Sequence, residues 1–248
     1  MRTIAENDLV LIVHKDKRYL KKVVADRPFH GKGGVINFPD LAGRPFGIRY
    51  GQYEIYEPTI EDVLMFGLKR ETQIVYPKDA AYICSKLGLM PGSRLVEVGT
   101  GSGALTFIFS HILGPQGAVV SFEKEERHYK NARKNFQNFA KWDNATLNLG
   151  DVSEYQGDCF DAAFIDVREP WEQLAKVSDL LKGSGMLGMI VPTANQITEI
   201  LKEISNWFGD VEVVELLLRK YKTVAERVRP VDRMVAHTGY LVFARKLT

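Results

Sequence analysis

Three glycines at alternate positions, and four acids set at or near the ends of β-type runs, hold the chemistry available to this sequence. The run Arg94-Leu95-Val96-Glu97-Val98 passes directly into Gly99-Thr100-Gly101-Ser102-Gly103, and a helical pattern opens at Ala104-Leu105. Glycines spaced this way let the backbone turn sharply after a strand and come close to a ligand where any Cβ would collide. Glu123 ends the next run, twenty residues after Gly103. A carboxylate there can accept hydrogen bonds from ribose hydroxyls, although an acid at a helix N-terminus is also favoured by the helix dipole alone. Gly150-Asp151 ends the third run, where Asp151 can accept from an adenine amino group or cap a turn. His128 lies five residues beyond Glu123, either against the same ligand or in solvent. The fourth run, Phe160-Asp161-Ala162-Ala163-Phe164-Ile165, ends in Asp166, a carboxylate with Val167-Arg168-Glu169-Pro170-Trp171 behind it.

These residues need a frame that brings strand ends together. From residue 1 to about residue 56 no helical period appears; short β-rich runs at 8–13, 19–24 and 34–38 alternate with charged or Gly/Pro turns. That pattern predicts a small β-rich domain over residues 1–60, followed by a larger domain over 61–248. After Tyr76-Pro77, residues Ala80, Ile83, Cys84 and Leu87 make one helical face, stopped by Gly88 and Pro91. Strands are expected at 93–98, 117–122, 145–149, 160–165 and 185–191, with helices at 103–113, 124–140, 171–182 and 194–207. Tyr129, Ala132, Phe136 and Phe139 share one face of the 124–140 helix. Two final β-runs, 211–221 and 238–245, close the chain as an antiparallel hairpin. The alternation implies an α/β fold with a seven-stranded, mostly parallel sheet covered on both faces. In such a sheet ligands bind beyond the carboxyl ends of the strands, which is where the acids fall.

Composition sets limits. The 248 residues are 45% hydrophobic, enough for one large domain and a small companion, and the net charge is only +2. Any affinity for nucleic acid must therefore come from local patches. Cys84 and Cys159 read as free, buried thiols in a reducing compartment, with no Cys/His cluster to suggest a metal. No apolar run is long enough to cross a bilayer and no secretory signal is visible, so the expected location is the cytoplasm.

With Glu97 two residues ahead of it, the Gly-x-Gly-x-Gly loop resembles the S-adenosylmethionine loop of Rossmann-like class I methyltransferases rather than a pyrophosphate-binding loop. The closing hairpin fits the same fold. Four segments are similar to the tRNA (adenine-58-N1)-methyltransferase family: Tyr76-Pro77-Lys78-Asp79, the glycine loop, Asp166 with Glu169-Pro170-Trp171, and His237-Thr238-Gly239. Phe29-His30-Gly31-Lys32-Gly33 fits as well, and Ala236 departs from the family pattern, which has glycine there.

The resemblance implies a homotetramer, transfer of methyl from S-adenosylmethionine to N1 of adenine 58 in tRNA, and in archaeal-type members to adenine 57 as well. It assigns the cofactor to Glu97, Gly99, Thr100, Gly101, Ser102, Gly103, Ala104, Leu105, Glu123, His128, Gly150, Asp151 and Asp166. The run to Asp166 carries neither an Asn/Asp-Pro-Pro-Tyr motif for exocyclic amines nor a Pro-Cys pair for a pyrimidine carbon. Adenine N1 is an unprotonated lone pair at neutral pH, and methylation moves positive charge onto the ring. Asp166 would stabilise that charge and hold the amino group, with Tyr76 orienting the base. Pro170 and Trp171 set the angle of the turn after Asp166.

A base inside folded RNA must be flipped out, and the backbone contacts for that are basic and sequence-blind. Arg219, Lys220, Lys222, Arg227, Arg229 and Arg233 form one candidate surface, with His237 and Thr238 at its end. Lys124, Arg127, Lys130, Arg133 and Lys134 form a second, on a helix whose charge run also suits a solvated face. Two other readings stay open: a methyltransferase for protein isoaspartyl groups or a small metabolite, and a tRNA-binding subunit without catalysis.

Overall fold

The computed structural model describes residues 2–157 and 159–248. The chain divides into two compact units, Met1–Leu68 and Lys69–Thr248. In the first, β1 (Leu9–His14) lies between β2 (Lys17–Lys22) and β6 (Tyr53–Tyr56), and β5 (Ile48–Tyr50) closes an antiparallel sheet of order β2-β1-β6-β5. A separate hairpin joins β3 (Phe29–Gly31) to β4 (Gly34–Ile36). Val10, Ile12, Phe29, Ile36, Tyr53 and Ile55 are buried in its core. The β5–β6 hairpin is missing from the sequence reading; it turns at Gly51, whose φ of +57° suits glycine.

Helix α1 (Ile60–Phe66) groups with this unit, which runs to Leu68. Its start is written locally: Thr59 and Asp62 form a reciprocal capping box. Asp62 also faces Arg18 of β2 at 3.9 Å, and Val63 and Leu64 are buried.

The second unit contains α2 (Pro77–Lys86), β7 (Arg94–Val98), α3 (Ala104–Leu113), β8 (Ala118–Glu123), α4 (Glu126–Phe139) and β9 (Ala145–Leu149). There follow β10 (Phe160–Ile165), α5 (Leu174–Leu180), β11 (Leu181–Val191), α6 (Ala194–Glu203), β12 (Phe208–Val214) and β13 (Tyr240–Lys246). They form a seven-stranded sheet of order β12-β13-β11-β10-β7-β8-β9, with β13 antiparallel to both neighbours. This is the Rossmann-like methyltransferase arrangement. Central strands β7 and β10 are buried nearly throughout because both of their faces are covered. Ala163 and Ile165 pack with Leu174 and Val177 of α5 and Ile200 of α6. Phe164, on the other face, stacks edge-on against Phe109 of α3.

Two elements end sooner than their hydrophobicity suggests. The run over 211–221 leaves the sheet at Val214, since the chain from 215 to 239 makes an excursion before β13. The helix expected over 171–182 is a 3₁₀ turn (Pro170–Gln173) followed by the short α5. Cys84 is buried, which pushes its thiol up to about 12, but Cys159 is exposed because it precedes β10. Among the described residues no helix is long and apolar enough to cross a membrane.

Candidate active site

Register brings the four acids to one end of the sheet. Ile165 pairs with Val98, Val98 with Phe122, and Glu123 with Leu149. Asp166, Gly99, Lys124 and Gly150 therefore follow at a common rim. A cavity of about 310 Å³ opens there, lined by Gly99, Glu123, Gly150, Asp151, Val167 and Glu169 among others.

The glycine loop is shaped by protein neighbours. All three glycines have positive φ: +99° at Gly99, +56° at Gly101 and +75° at Gly103. A Cβ on Gly99 would stand 2.1 Å from the carbonyl oxygen of Asp166. One on Gly101 would meet Thr72 Oγ1 at 3.1 Å, and one on Gly103 would meet Ala132 of α4 at 3.2 Å. The space these glycines leave is thus filled by the chain itself, and Gly99 lets the ends of β7 and β10 touch. The Asp166 amide donates to the Val98 carbonyl at 2.8 Å, which fixes the backbone of the acid.

Asp166 is exposed to water at this rim, and among the described residues no group hydrogen-bonds to its carboxylate. Protein nevertheless crowds it. Desolvation, reinforced by the charge of Glu123, pushes its carboxyl up to about 7. Glu123 is held by main chain: the Gly101 amide donates to Oε2 at 2.8 Å and the Glu125 amide to Oε1 at 3.0 Å. Each oxygen keeps a lone pair free. His128, half-buried on α4, stands 3.9 Å from Glu123.

Glu97 lies beneath the loop and away from the cavity wall. It accepts from Thr106 Oγ1 and Ser121 Oγ, both at 2.5 Å, and burial pushes it up to about 8, with Asp166 and Glu123 adding to the shift. Thr100 Oγ1 is likewise tied to Ser121 at 2.6 Å, and Ala104 and Leu105 are buried in the first turn of α3. Asp151 does line the cavity, but it accepts from the Ser153 amide and pairs with Lys124, which holds its carboxyl down at about 2.

Ser102 holds a feature that the sequence reading missed, a strap of chain over residues 69–75. Its Oγ accepts from the amides of Glu71 and Thr72. Asn135 of α4 donates to the carbonyls of Lys69 and Ser102 and accepts from the Lys69 amide, while Asn131 donates to Lys69. Two buried asparagines on one helix face were the available signal. The strap ends at Tyr76, which caps α2, is half-buried, and has no hydrogen-bond partner for its hydroxyl among the described residues.

The basic residues divide. Arg219, Lys220, Arg227 and Arg233 are exposed in the excursion with no ion-pair partner among the described residues. Lys222 pairs with Asp232 at 2.5 Å, and Arg229 approaches the same acid at 3.8 Å. His237 has both ring nitrogens occupied, by Glu215 at 2.6 Å and by the Pro192 carbonyl at 2.9 Å; Glu215 raises its pKa most. On α4, Arg127 pairs with Glu71 and Lys130 with Glu126, Lys124 is bound to Asp151, and Arg133 lies over Tyr129. Lys134 of that cluster has no such partner among the described residues, as a solvated helix face would give. Pro170 is buried and Trp171 packs on the core beneath the turn after Asp166.

A family model described as tRNA methyltransferase complex GCD14 subunit matches residues 53–229. The chain belongs to this family. It is similar to the tRNA (m1A58) methyltransferase TrmI from Aquifex aeolicus, with 42% identity, a TM-score of 0.90 and full coverage of both chains. A SAM-dependent O-methyltransferase from Thermotoga maritima matches with 37% identity and a TM-score of 0.91, over 99% of this chain and 95% of that one. The tRNA (adenine(58)-N(1))-methyltransferase TrmI of Thermus thermophilus is 31% identical over 224 residues, 88% of each chain.

Proposed function

We propose that the chain transfers a methyl group from S-adenosylmethionine to N1 of adenine 58 in the T-loop of tRNA. The observation that carries the reading is Asp166: a carboxylate without a hydrogen-bond partner among the described residues, on a fixed backbone, at the rim where the sheet opens. When bound, the donor supplies an electrophilic methyl group on a sulfonium. The site suits such a ligand electrostatically, because the charge of Glu123 pushes the Asp166 carboxyl up, both acids push Glu97 up, and a cationic centre relieves that repulsion. Glu123 has free lone pairs for two ribose hydroxyls, and Gly99 and Gly150 line the wall beside it.

Asp166, in its anionic form, faces positive charge that grows on the adenine ring and accepts from the exocyclic amine. Removing one such preorganised contact costs about 2–4 kcal/mol in barrier. Tyr76 offers a half-buried ring and a free hydroxyl to the flipped base. Arg219, Lys220, Arg227 and Arg233 supply sequence-blind phosphate contacts. Glu97, Thr100 and Ser102 shape the loop from beneath.

The homotetramer belongs to the same proposal. Val211 and Val213 on edge strand β12, and Leu217, Leu218, Val228 and Val235 in the excursion, are exposed large apolar side chains that suit a protein contact. The decisive experiment incubates labelled donor with tRNA, with peptide carrying isoaspartate, or with an oxygen nucleophile of small size. Label in tRNA that primer extension maps to adenine 58, alone or with 57, supports the reading. Label in the other acceptors only overturns it, and tRNA binding without transfer makes the chain a non-catalytic subunit.

A further inference from the structure

The excursion over 215–239 is gripped at its neck by a buried cluster unused by the chemistry above. Lys78 Nζ donates to Asp79 Oδ1 at 2.7 Å, to Thr238 Oγ1 at 2.6 Å and to the Leu216 carbonyl at 2.8 Å, so all three ammonium protons are committed. Thr238 Oγ1 in turn donates to Asp79 Oδ2 at 2.8 Å, which closes a ring of three side chains. The Asp79 side chain is 1% exposed and that of Lys78 12%. Leu216 lies on the outgoing leg of the excursion and Thr238 on the returning leg. His237 braces the same neck by joining Glu215 to Pro192.

The other end of the cluster is the Tyr76 turn. Lys78 and Asp79 sit in the first turn of α2, whose opening amides, Asp79 and Ala80, both donate to the Tyr76 carbonyl at 2.9 Å. Tyr76 also terminates the strap that Ser102 and Asn135 bind to the glycine loop. One ammonium group thus joins both legs of the basic excursion to the turn that presents the aromatic ring.

We propose that Lys78, with Asp79 and Thr238, is a positioning group that locks the 215–239 excursion to the Tyr76 turn, so that substrate held by the one is aligned at the other. This rests on the function proposed above. A paired buried charge with every donor used gives fixed geometry, and breaking it leaves the remaining groups unsatisfied.

The test uses full-length Lys78→Met, Thr238→Val and Thr238→Ser. Hydrogen exchange, read without substrate or donor, should accelerate together in the amides of 76–80 and of 215–239 for Lys78→Met and Thr238→Val, and stay as in the parent for Thr238→Ser. With tRNA, kcat should fall roughly tenfold to a hundredfold in the first two, the scale of ångström-level misplacement, while donor affinity holds within about twofold. Thr238→Ser, which keeps the hydroxyl, should restore kcat. Unchanged exchange, acceleration in only one segment, or full kcat in Thr238→Val overturns the proposal. A parent enzyme that does not methylate tRNA overturns the function instead, and the exchange result still decides the clamp. If Lys78→Met does not fold, Thr238→Val carries the same readouts.

Discussion

The carboxyl end of the sheet and the excursion between β12 and β13 are built on opposite plans. At the sheet end nearly every group is fixed by main chain: Glu123 by two amides, Asp166 by the Val98 carbonyl, and Gly99 by the peptide it touches. The excursion has few backbone bonds of its own, chiefly Lys222 to Arg229 and Val231 to Lys220, and most of its side chains are exposed. It is defined at its neck. Bond-making chemistry needs sub-ångström placement and gains from rigid strand ends. Gripping a long, charged partner needs reach and charge, which an exposed arm supplies.

Substitutions should separate the two plans. The largest effect is expected for Gly99→Ala, which places a methyl group on the Asp166 carbonyl in a left-handed backbone conformation. Overpacking and backbone strain together predict a loss of about 2–5 kcal/mol in stability, measured by urea unfolding. A midpoint matching the parent would mean that the two strand ends are not packed as described. Glu123→Ala should leave the fold intact but weaken donor binding by roughly 1.5–3 kcal/mol, the worth of hydrogen bonds to a charged group. Calorimetry reads this directly, and unchanged affinity would remove Glu123 from the ribose. Neutralising Arg219, Lys220, Arg227 and Arg233 together should touch neither property. It should instead flatten the dependence of tRNA affinity on salt by about three in log–log slope. An unaltered slope would move RNA contact off the arm and leave that surface to subunit packing.

The sheet end was also the legible part of the sequence, for the same physical reason. Glycine loop, strand and acid are contiguous there, and their spacing is set by local geometry. Glu123, Gly150, Asp151 and Asp166 could be aligned because parallel strands end in step. What the sequence hid was the reason for the glycines: their space is occupied by Asp166, Thr72 and Ala132, residues remote in sequence or apolar, not only by a ligand. Glu97 and Ser102 read as ligand contacts, although one is a buried acid under the loop and the other holds the strap. At the neck of the excursion, Tyr76-Pro77-Lys78-Asp79 and His237-Thr238-Gly239 stood out in the sequence only as segments of a family resemblance, and their contact with one another was hidden. Lys78 and Thr238 are 160 residues apart, and nothing local distinguishes a lysine that closes a buried ring from one that faces water. Hydrophobicity also misled over 211–221, since Leu217 and Leu218 are apolar yet exposed and outside the sheet.

The central claim is that Asp166 acts as an anion, and the pH dependence of methyl transfer tests it most directly. Its carboxyl titrates at about 7, so acid removes the charged form and kcat/KM should rise with pH through that value. In kcat the midpoint should lie lower, because a bound cationic donor favours the carboxylate. Asp166→Asn should lose the acid limb and, above it, turn over roughly 100- to 1000-fold more slowly. An Asp166→Asn enzyme that keeps both the parent rate and the parent pH profile would contradict the account.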